Sequence, residues 1–521
     1  MADKPARAGL ARFARADAMV AAGILASRLS GLVRTMVFSY FFGLRSDAAD
    51  AFNAAVRIPN LLQNLFGEGA LSGSFIPVHA GLRAQGRDAD AAQVARTLLA
   101  LLAVLMSVLV LAGVLATPLL LDLIAPGFTG TRRVLAVQLV RILFPSAGML
   151  VLASWCLGVL NSHGRFLLSY SSGIAWNAAM IGALLLFGPG SSLEHLAVML
   201  AWGSVVGSCL QFAVQAPTAF ALTRGGGPLG LTPPIRLAVR NFFPVMISRG
   251  AVQISAYIDV FIASYLPVGA VTGLTHAQLI YTLPVSLFGI SVSAAELPAL
   301  SANAARAETD VLRARINAGL RRLVFFVVPS AVVFAAFGDI VAGVILERGR
   351  FRPGDSVIVW GILAGSAVGL VASTQARLYS VAHYAFGDTR TPLRLALVRL
   401  TSVTTLGFVC ALYLPAWLGV APIWGTAGLT ASAGLSGWIE FALLRSSLNA
   451  RVGSTGVPGA HMARLWGGAA LAAAIAWGVR LALPPAIHPL ARGAVVLPIF
   501  GVAYLGLVAA MGIGIPGLRR R

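Results

Sequence analysis

Long apolar runs, separated by short basic or glycine- and proline-bearing breaks, recur along the chain from about residue 17 to about residue 514. Many span about 20 residues or more, enough for a helix to cross roughly 30 Å of hydrocarbon. The segments 97–121, 175–188 with its flanks, and 495–511 show this most plainly. The pattern predicts fourteen helices, near 17–42, 50–80, 92–124, 134–160, 167–188, 195–222, 237–266, 270–304, 315–346, 354–384, 392–414, 422–447, 462–483 and 491–514. Pro59 and the glycines from Gly67 to Gly73 fall inside the second of these. Such breaks predict helices that line a protein interior, because lipid cannot satisfy the freed backbone groups. No loop exceeds about 15 residues, too short for an independent soluble domain. The expected fold class is an all-α polytopic membrane protein.

Composition excludes the soluble alternative: of 521 residues, 58% are hydrophobic and 11% charged, against roughly one quarter charged in soluble domains. Residues 1–17 are basic and polar, and the apolar stretch after them contains Arg28 and Arg34 and runs too long for a cleavable signal peptide. Cys156, Cys209 and Cys410 sit in apolar segments without metal or disulfide spacing and read as packed thiols.

The formal charge of +21 is carried almost wholly by arginine, Lys4 being the only lysine. Its placement matters more than its sum, because cytoplasmic loops collect positive charge. With a cytoplasmic N-terminus, the loops on that side hold about 24 Arg and Lys, among them Arg7, Arg12, Arg15, Arg83, Arg87, Arg306, Arg313, Arg321, Arg322, Arg451 and Arg519 to Arg521, against about eight opposite. Both termini are then expected in the cytoplasm. Arg132, Arg133 and the group Arg348, Arg350 and Arg352 beside Glu347 and Asp355 are exceptions.

Internal similarity divides the chain into a six-helix lobe at 1–224, a glycine-rich connector at 225–236, a second six-helix lobe at 237–450, and two further helices with a basic tail at 451–521. Ser27 and Arg28 are echoed by Ser248 and Arg249, and Leu65-Phe66-Gly67 leading to Pro77 by Leu287-Phe288-Gly289 leading to Pro298. Two such lobes rocking about a central site are the plan of a transporter.

Within the expected spans lie Arg28, Arg34, Asp50, Arg57, Glu68, Arg141, Arg249, Asp259, Glu296, Arg377, Arg399 and Glu440. Each costs about 2.5–3.5 kcal/mol at mid-membrane unless it faces a wet cavity or a partner. A guanidinium stays charged when desolvated and grips phosphate oxygens in pairs, so the arginines suit a chamber for a diphosphate. The competing reading is structural pairing, which is favoured for Arg377, Arg399 and Glu440. Arg28 and Arg34 stand about 120° apart around one helix and can both border a broad cavity, beside the small residues Ser27, Ser30 and Gly31. Asp50 and Glu68 are candidate counter-ions. The seven histidines are dispersed and no Walker A signature occurs, which argues against a metalloenzyme or direct ATP coupling.

Several segments in order resemble one family: 27–43 (SRLSGLVRTMVFSYFFG), 50–77 (DAFNAAVRIPNLLQNLFGEGALSGSFIP), APGF at 125–128, LNSHGRF at 160–166, QISAYIDVFIASYL at 253–266, ELPALS at 296–301 and GDTRTP at 387–392. They are similar to the MurJ (MviN) lipid II flippases of the multidrug/oligosaccharidyl-lipid/polysaccharide exporter superfamily. The resemblance implies a cationic, V-shaped cavity between two lobes and a hydrophobic groove for the polyprenyl tail on the last two helices. By position, the cavity arginines fall on Arg28 and Arg34, the acidic residue opening the second helix on Asp50, the broken-helix glutamate on Glu68, and a residue implicated in sodium binding on Asp259. Thr35 replaces a frequent Asp, Gln63 and Asn64 stand where some members have Arg, Gly407 lies near an expected Asn, and Ala277, Gln278 and Leu279 replace an Ala-Asp-Arg stretch. Arg249, one helix away, is the candidate to restore that missing charge.

The expectation is a flippase moving lipid II from the cytoplasmic to the periplasmic leaflet of the inner membrane, with no cofactor and no nucleic acid. Membrane lipid and cell-wall synthases are the other expected partners. The alternatives are a flippase for another polyprenyl-linked glycan or amphiphile, and a non-transporting cell-wall scaffold.

Overall fold

The computed structural model describes residues 23, 25–306, 308–484 and 487–514, without the side chains of 245, 247–256 and 294. Arg7, Arg12, Arg15 and Arg519 to Arg521 lie outside the described residues, as does the side chain of Arg249. All regular structure among the described residues is helical. Among the described residues, eleven helices are long and apolar enough to cross a membrane, so the chain is a multi-pass membrane protein. The three other expected spans, 17–42, 50–80 and 237–266, are mainly helical where described and hold Arg28, Arg34, Asp50, Arg57, Glu68 and Asp259.

The chain forms two compact units, one ending at Ser264 and one beginning at Tyr265. The first contains α1 (25–42), α2 (Asp47–Phe66), α3 (Glu68–Ala84), α4 (Asp88–Leu115), α5 (Thr117–Ile124), α6 (Gly130–Ser162), α7 (Phe166–Ser171), α8 (Gly173–Phe187), α9 (Leu193–Leu222) and α10 (Pro233–Ser264). Some expected single helices are broken. The segment 92–124 parts at Ala116, just before Pro118, whose missing N–H cannot continue the ladder. The segment 50–80 parts at Gly67, where a Cβ would collide with the Gln63 carbonyl oxygen.

The core of this unit is a layer of α3, α4, α6 and α9 side chains around fully buried Trp155 and Phe75. The indole N–H of Trp155 donates to the Ala95 carbonyl at 2.9 Å, so its polar edge is satisfied inside an apolar cluster. Helix α10, which opens the second sequence repeat, packs on α2 and α3, with Phe242 stacked on Phe66 at 5.8 Å.

The second unit contains α11 (Ala270–Pro284), α12 (Ser291–Ala305), α13 (Thr309–Leu346), α14 (Pro353–Ala385), α15 (Arg390–Phe408), α16 (Leu414–Trp417), α17 (Gly425–Val452), α18 (Gly459–Ala482) and α19 (Pro489–Ala510). Wide π-turns at Val285–Ile290 and Val409–Tyr413 interrupt two of the expected spans. Helices α14 and α17 approach until Gly369 and Gly434 touch backbone to backbone, so a Cβ at either would collide with the other. Small residues are what permit such packing where lipid supplies no hydrophobic drive.

The hairpin of α18 and α19 is seated on α13. Arg480 grips Asp339 with two hydrogen bonds of 3.2 and 2.7 Å while stacking on Trp477. Tyr504 donates to the Phe325 carbonyl at 2.7 Å. Phe337, buried between Trp477 and Phe500, adopts non-helical angles (φ −134°, ψ 18°) and kinks α13 where the hairpin docks.

Candidate substrate-binding site in the first unit

The seam between α1 and α8 is built from small and amide side chains. A Cβ at Gly173 would lie 2.7 Å from Ser27 Oγ, so the two helices meet closely at this level. One turn on, Asn177 donates to Ser30 Oγ at 2.8 Å, while its own carbonyl oxygen is buried without a partner. Beyond it, the Arg34 guanidinium lies 4.7 Å over the Trp176 ring and contacts Met180 Sδ at 3.7 Å. The indole is held in place by its N–H donating to Ser204 Oγ at 3.1 Å, which in turn meets Ser146 Oγ at 3.1 Å. Arg34 is thus oriented by an aromatic face and a thioether, and no carboxylate pairs with it among the described residues. Cation–π contact stabilises a guanidinium by about 0.5–2 kcal/mol without cancelling its charge.

Arg28 is exposed on the same helix and has no ion pair or hydrogen bond among the described residues. The structure therefore leaves two net positive charges on α1. Thr35, which replaces the family's frequent acid, spends its hydroxyl on the Gly31 carbonyl at 3.0 Å.

Glu68 is exposed in the first turn of α3, where a negative charge complements the helix dipole. It acts electrostatically on Tyr170 of α7, whose Cβ lies 3.0 Å from where a side chain at Gly23 would begin. Glu68 and Gly23 thus both neighbour Tyr170.

Asp50 is placed differently. It is buried in the first turn of α2, behind an N-cap in which Ser46 accepts from Ala49 N–H at 2.9 Å. Arg132 at the start of α6 reaches it at 3.7 Å, contacts Asp47 at 3.6 Å, and stacks on Phe128 of the APGF turn at 4.4 Å. An arginine that looked misplaced in the loop count is the clamp on the second helix.

Asp259 on α10 acts electrostatically on Arg57 of α2, and Tyr257 donates to the Arg57 carbonyl at 3.0 Å. In the second unit, Gln278 is exposed and its side-chain amide donates to Thr282 at 3.3 Å.

Residues 38–488 match the sequence model of the family described as Lipid II flippase MurJ. The chain belongs to the MurJ family. Among its MurJ relatives, the Lipid II flippase MurJ of Burkholderia cenocepacia is 30% identical over 97% of this chain and 99% of its own length. The Probable lipid II flippase MurJ of Vibrio cholerae is 29% identical over 84% and 83%. A solved Lipid II flippase MurJ in an inward closed conformation superposes with TM-score 0.75 at 22% identity, covering 94% of this chain and 98% of that one. An inward-facing multidrug resistance MATE transporter of the MOP superfamily gives TM-score 0.66 at 15% identity, covering 81% and 95%. The MurJ fold is therefore shared with drug exporters, and fold alone does not choose the cargo.

The sequence singled out Arg28 and Arg34 but not their supports. Trp176 and Asn177 interrupt an otherwise apolar stretch, and that was the available signal. The partnership of Arg34 with Met180 spans 146 positions, beyond any local pattern.

Proposed function

We propose that this chain moves lipid II from the cytoplasmic to the periplasmic leaflet of the bacterial inner membrane by alternating access. The observation that supports this most directly is the pair Arg28 and Arg34, two cations on one intramembrane helix without a carboxylate partner among the described residues. A diphosphate carries complementary negative charge and offers oxygens for guanidinium hydrogen bonds. Arg34, presented by Trp176, takes one phosphate, and exposed Arg28 takes the other. Glu68 and Asp50 shape the chamber, Asp50 by fixing the start of α2 through Arg132. Arg249 adds a third positive charge from α10. Arg57 already supplies the positive charge that a sodium ion would bring to Asp259, so Asp259 is read as its counter-ion.

In this reading fourteen helices span the membrane, both termini are cytoplasmic, the lobes are 1–224 and 237–450, and 451–521 offers the groove for the polyprenyl tail. The protein carries its cargo without chemistry. Cell-wall synthases are the partners that would consume the delivered precursor.

The test is replacement of the flippase in a host depleted of its own, with membrane expression measured alongside. The chain is expected to restore growth and periplasmic exposure of lipid II, and Arg28→Ala/Arg34→Ala to lose at least about 100-fold in exposure rate at equal expression, since each charge-assisted contact is worth about 1.5–3 kcal/mol. Failure of the well-expressed wild type would overturn lipid II as cargo. Full activity of the double variant would overturn the arginine site.

A further inference from the structure

Between α9 and α10 the chain does not bulge away from the bundle but runs over the first turns of α4. Gly226 lies so near that a Cβ there would stand 2.6 Å from the Gln93 backbone nitrogen. Hydrogen bonds tie the segment down on either side of that contact. Arg96 donates to the Gly226 carbonyl at 3.0 Å, the Gln93 side-chain amide to the Pro228 carbonyl at 2.6 Å, and the Gly230 N–H to the Thr97 hydroxyl at 3.4 Å. Gln93, Arg96 and Thr97 are spaced i, i+3, i+4 and so share one face of α4.

This attachment buries nothing of the segment itself. None of residues 225–232 is buried, and Leu229 and Leu231 stay exposed. The loop between α17 and α18 is anchored in another manner. There Thr455 is buried, its N–H donates to the Asn449 side chain at 2.9 Å, its hydroxyl meets that of Tyr379 at 3.2 Å, and the Gly456 N–H donates to Asn317 at 2.8 Å. A segment held only by surface hydrogen bonds, with glycine at 225, 226, 227 and 230, opens locally at low cost. Water replaces its partners and its glycines regain their freedom.

The fastened segment also stores length. Gly226 is tied beside Gln93 and Gly230 beside Thr97, positions about 6 Å apart along α4, whereas the four residues between those ties reach about 13 Å when extended. Unfastening therefore frees about 7 Å of chain. The segment leads directly into α10, whose first two turns bury only Ile235 and Ala238. Ile235 packs into the core formed by α3, α4, α6 and α9.

We propose that residues 225–232 are a releasable strap. Fastened, it holds the start of α10 beside α4; unfastened, it gives that helix the slack to swing away. The strap takes up and returns length without breaking the chain's path between the two sequence repeats, and it works in this way whatever cargo the α1 chamber carries.

The test is hydrogen exchange on the full chain in lipid nanodiscs, read by mass spectrometry on peptides covering 229–240. These hold the Gly230 amide, the Thr232 amide bonded to Gly230, the Arg236 amide bonded to Thr232, and the first turns of α10. In a chain carrying Cys156→Ala, Cys209→Ser and Cys410→Ala, the pair Gln93→Cys/Gly227→Cys locks the strap on oxidation, since a Cβ at 227 would lie 3.4 Å from the Gln93 side-chain amide. Locking is expected to slow exchange at least about tenfold, and dithiothreitol to restore it. Gly226→Val, which collides with the α4 backbone, is expected to speed exchange by about tenfold. A disulfide that does not form would remove the contact on which the strap rests. Exchange unchanged by locking would show that the segment does not open, and exchange unchanged by Gly226→Val that the fastening holds nothing; either would overturn the proposal. None of these readouts involves the cargo, so failure of the strap and failure of the lipid II reading are told apart.

Discussion

Arg34 on α1 and Arg399 on α15 both interrupt apolar helices, and the protein receives them in opposite ways. Arg399 meets Glu440 of α17 at 3.0 Å, so the pair is neutral as a unit. Arg34 meets an indole face and a sulfur, which orient it and leave its charge in place. Both helices carry a guanidinium among apolar residues, but only Arg34 can still attract a polyanion. A charge inside a membrane protein is therefore informative through its partner more than through its presence.

The comparison can be broken at its structural side first. Glu440→Ala leaves Arg399 without its carboxylate and is expected to lower stability by about 2–3 kcal/mol, less than a fully dry pair because Arg399 is partly exposed. Scanning the Tm of the purified protein measures this, and Arg399→Leu/Glu440→Leu should recover most of the loss. If Glu440→Ala abolished transport at unchanged Tm, Arg399 would belong to the transport machinery and the contrast would fail.

On the other side, Trp176→Leu removes the platform while keeping the Arg34 charge. The expected result is a roughly fivefold slower flipping rate with little change in Tm, matching about 1 kcal/mol of cation–π contact, and Trp176→Phe should fall between.

Asp388 sharpens the contrast from outside the spans. Hydrogen bonds from the Thr391 backbone and hydroxyl, with Arg451 at 2.6 Å, hold its carboxyl down to about 2. A depressed acid contributes its stability above the ordinary carboxylate range and loses it as pH falls toward about 2, so this group gives no change in Tm between pH 5 and 8. Asp388→Asn keeps an acceptor for the Thr391 N–H but removes the charge facing Arg451, and is expected to cost about 0.5–1 kcal/mol at pH 7, visible as a small drop in Tm.

The spans were legible because hydropathy acts locally and recurs every helix. Arg28 and Arg34 were legible because charge in an apolar run is rare, and the pairing of Arg399 with Glu440 agrees with the structural reading given to them from sequence. The partners were not legible. Asp50 finds Arg132 in another helix, and Tyr257 reaches Arg57 across 200 positions. The breaks at Ala116 and Ser172 escaped detection because both flanking pieces are apolar enough to read as one helix. Proline marked the first break, but proline also sits unbroken inside α6 at Pro145 and α9 at Pro217.

The perch of Arg34 on Trp176 bears on the half of the cycle that carries nothing. In the proposed transport cycle an empty carrier must turn back after releasing its load, and a bare guanidinium would resist passing through a dry intermediate. An aromatic face steadies it for that return, yet holds it too weakly to compete with the next phosphate. A carboxylate in the same place would ease the empty return and slow every reloading.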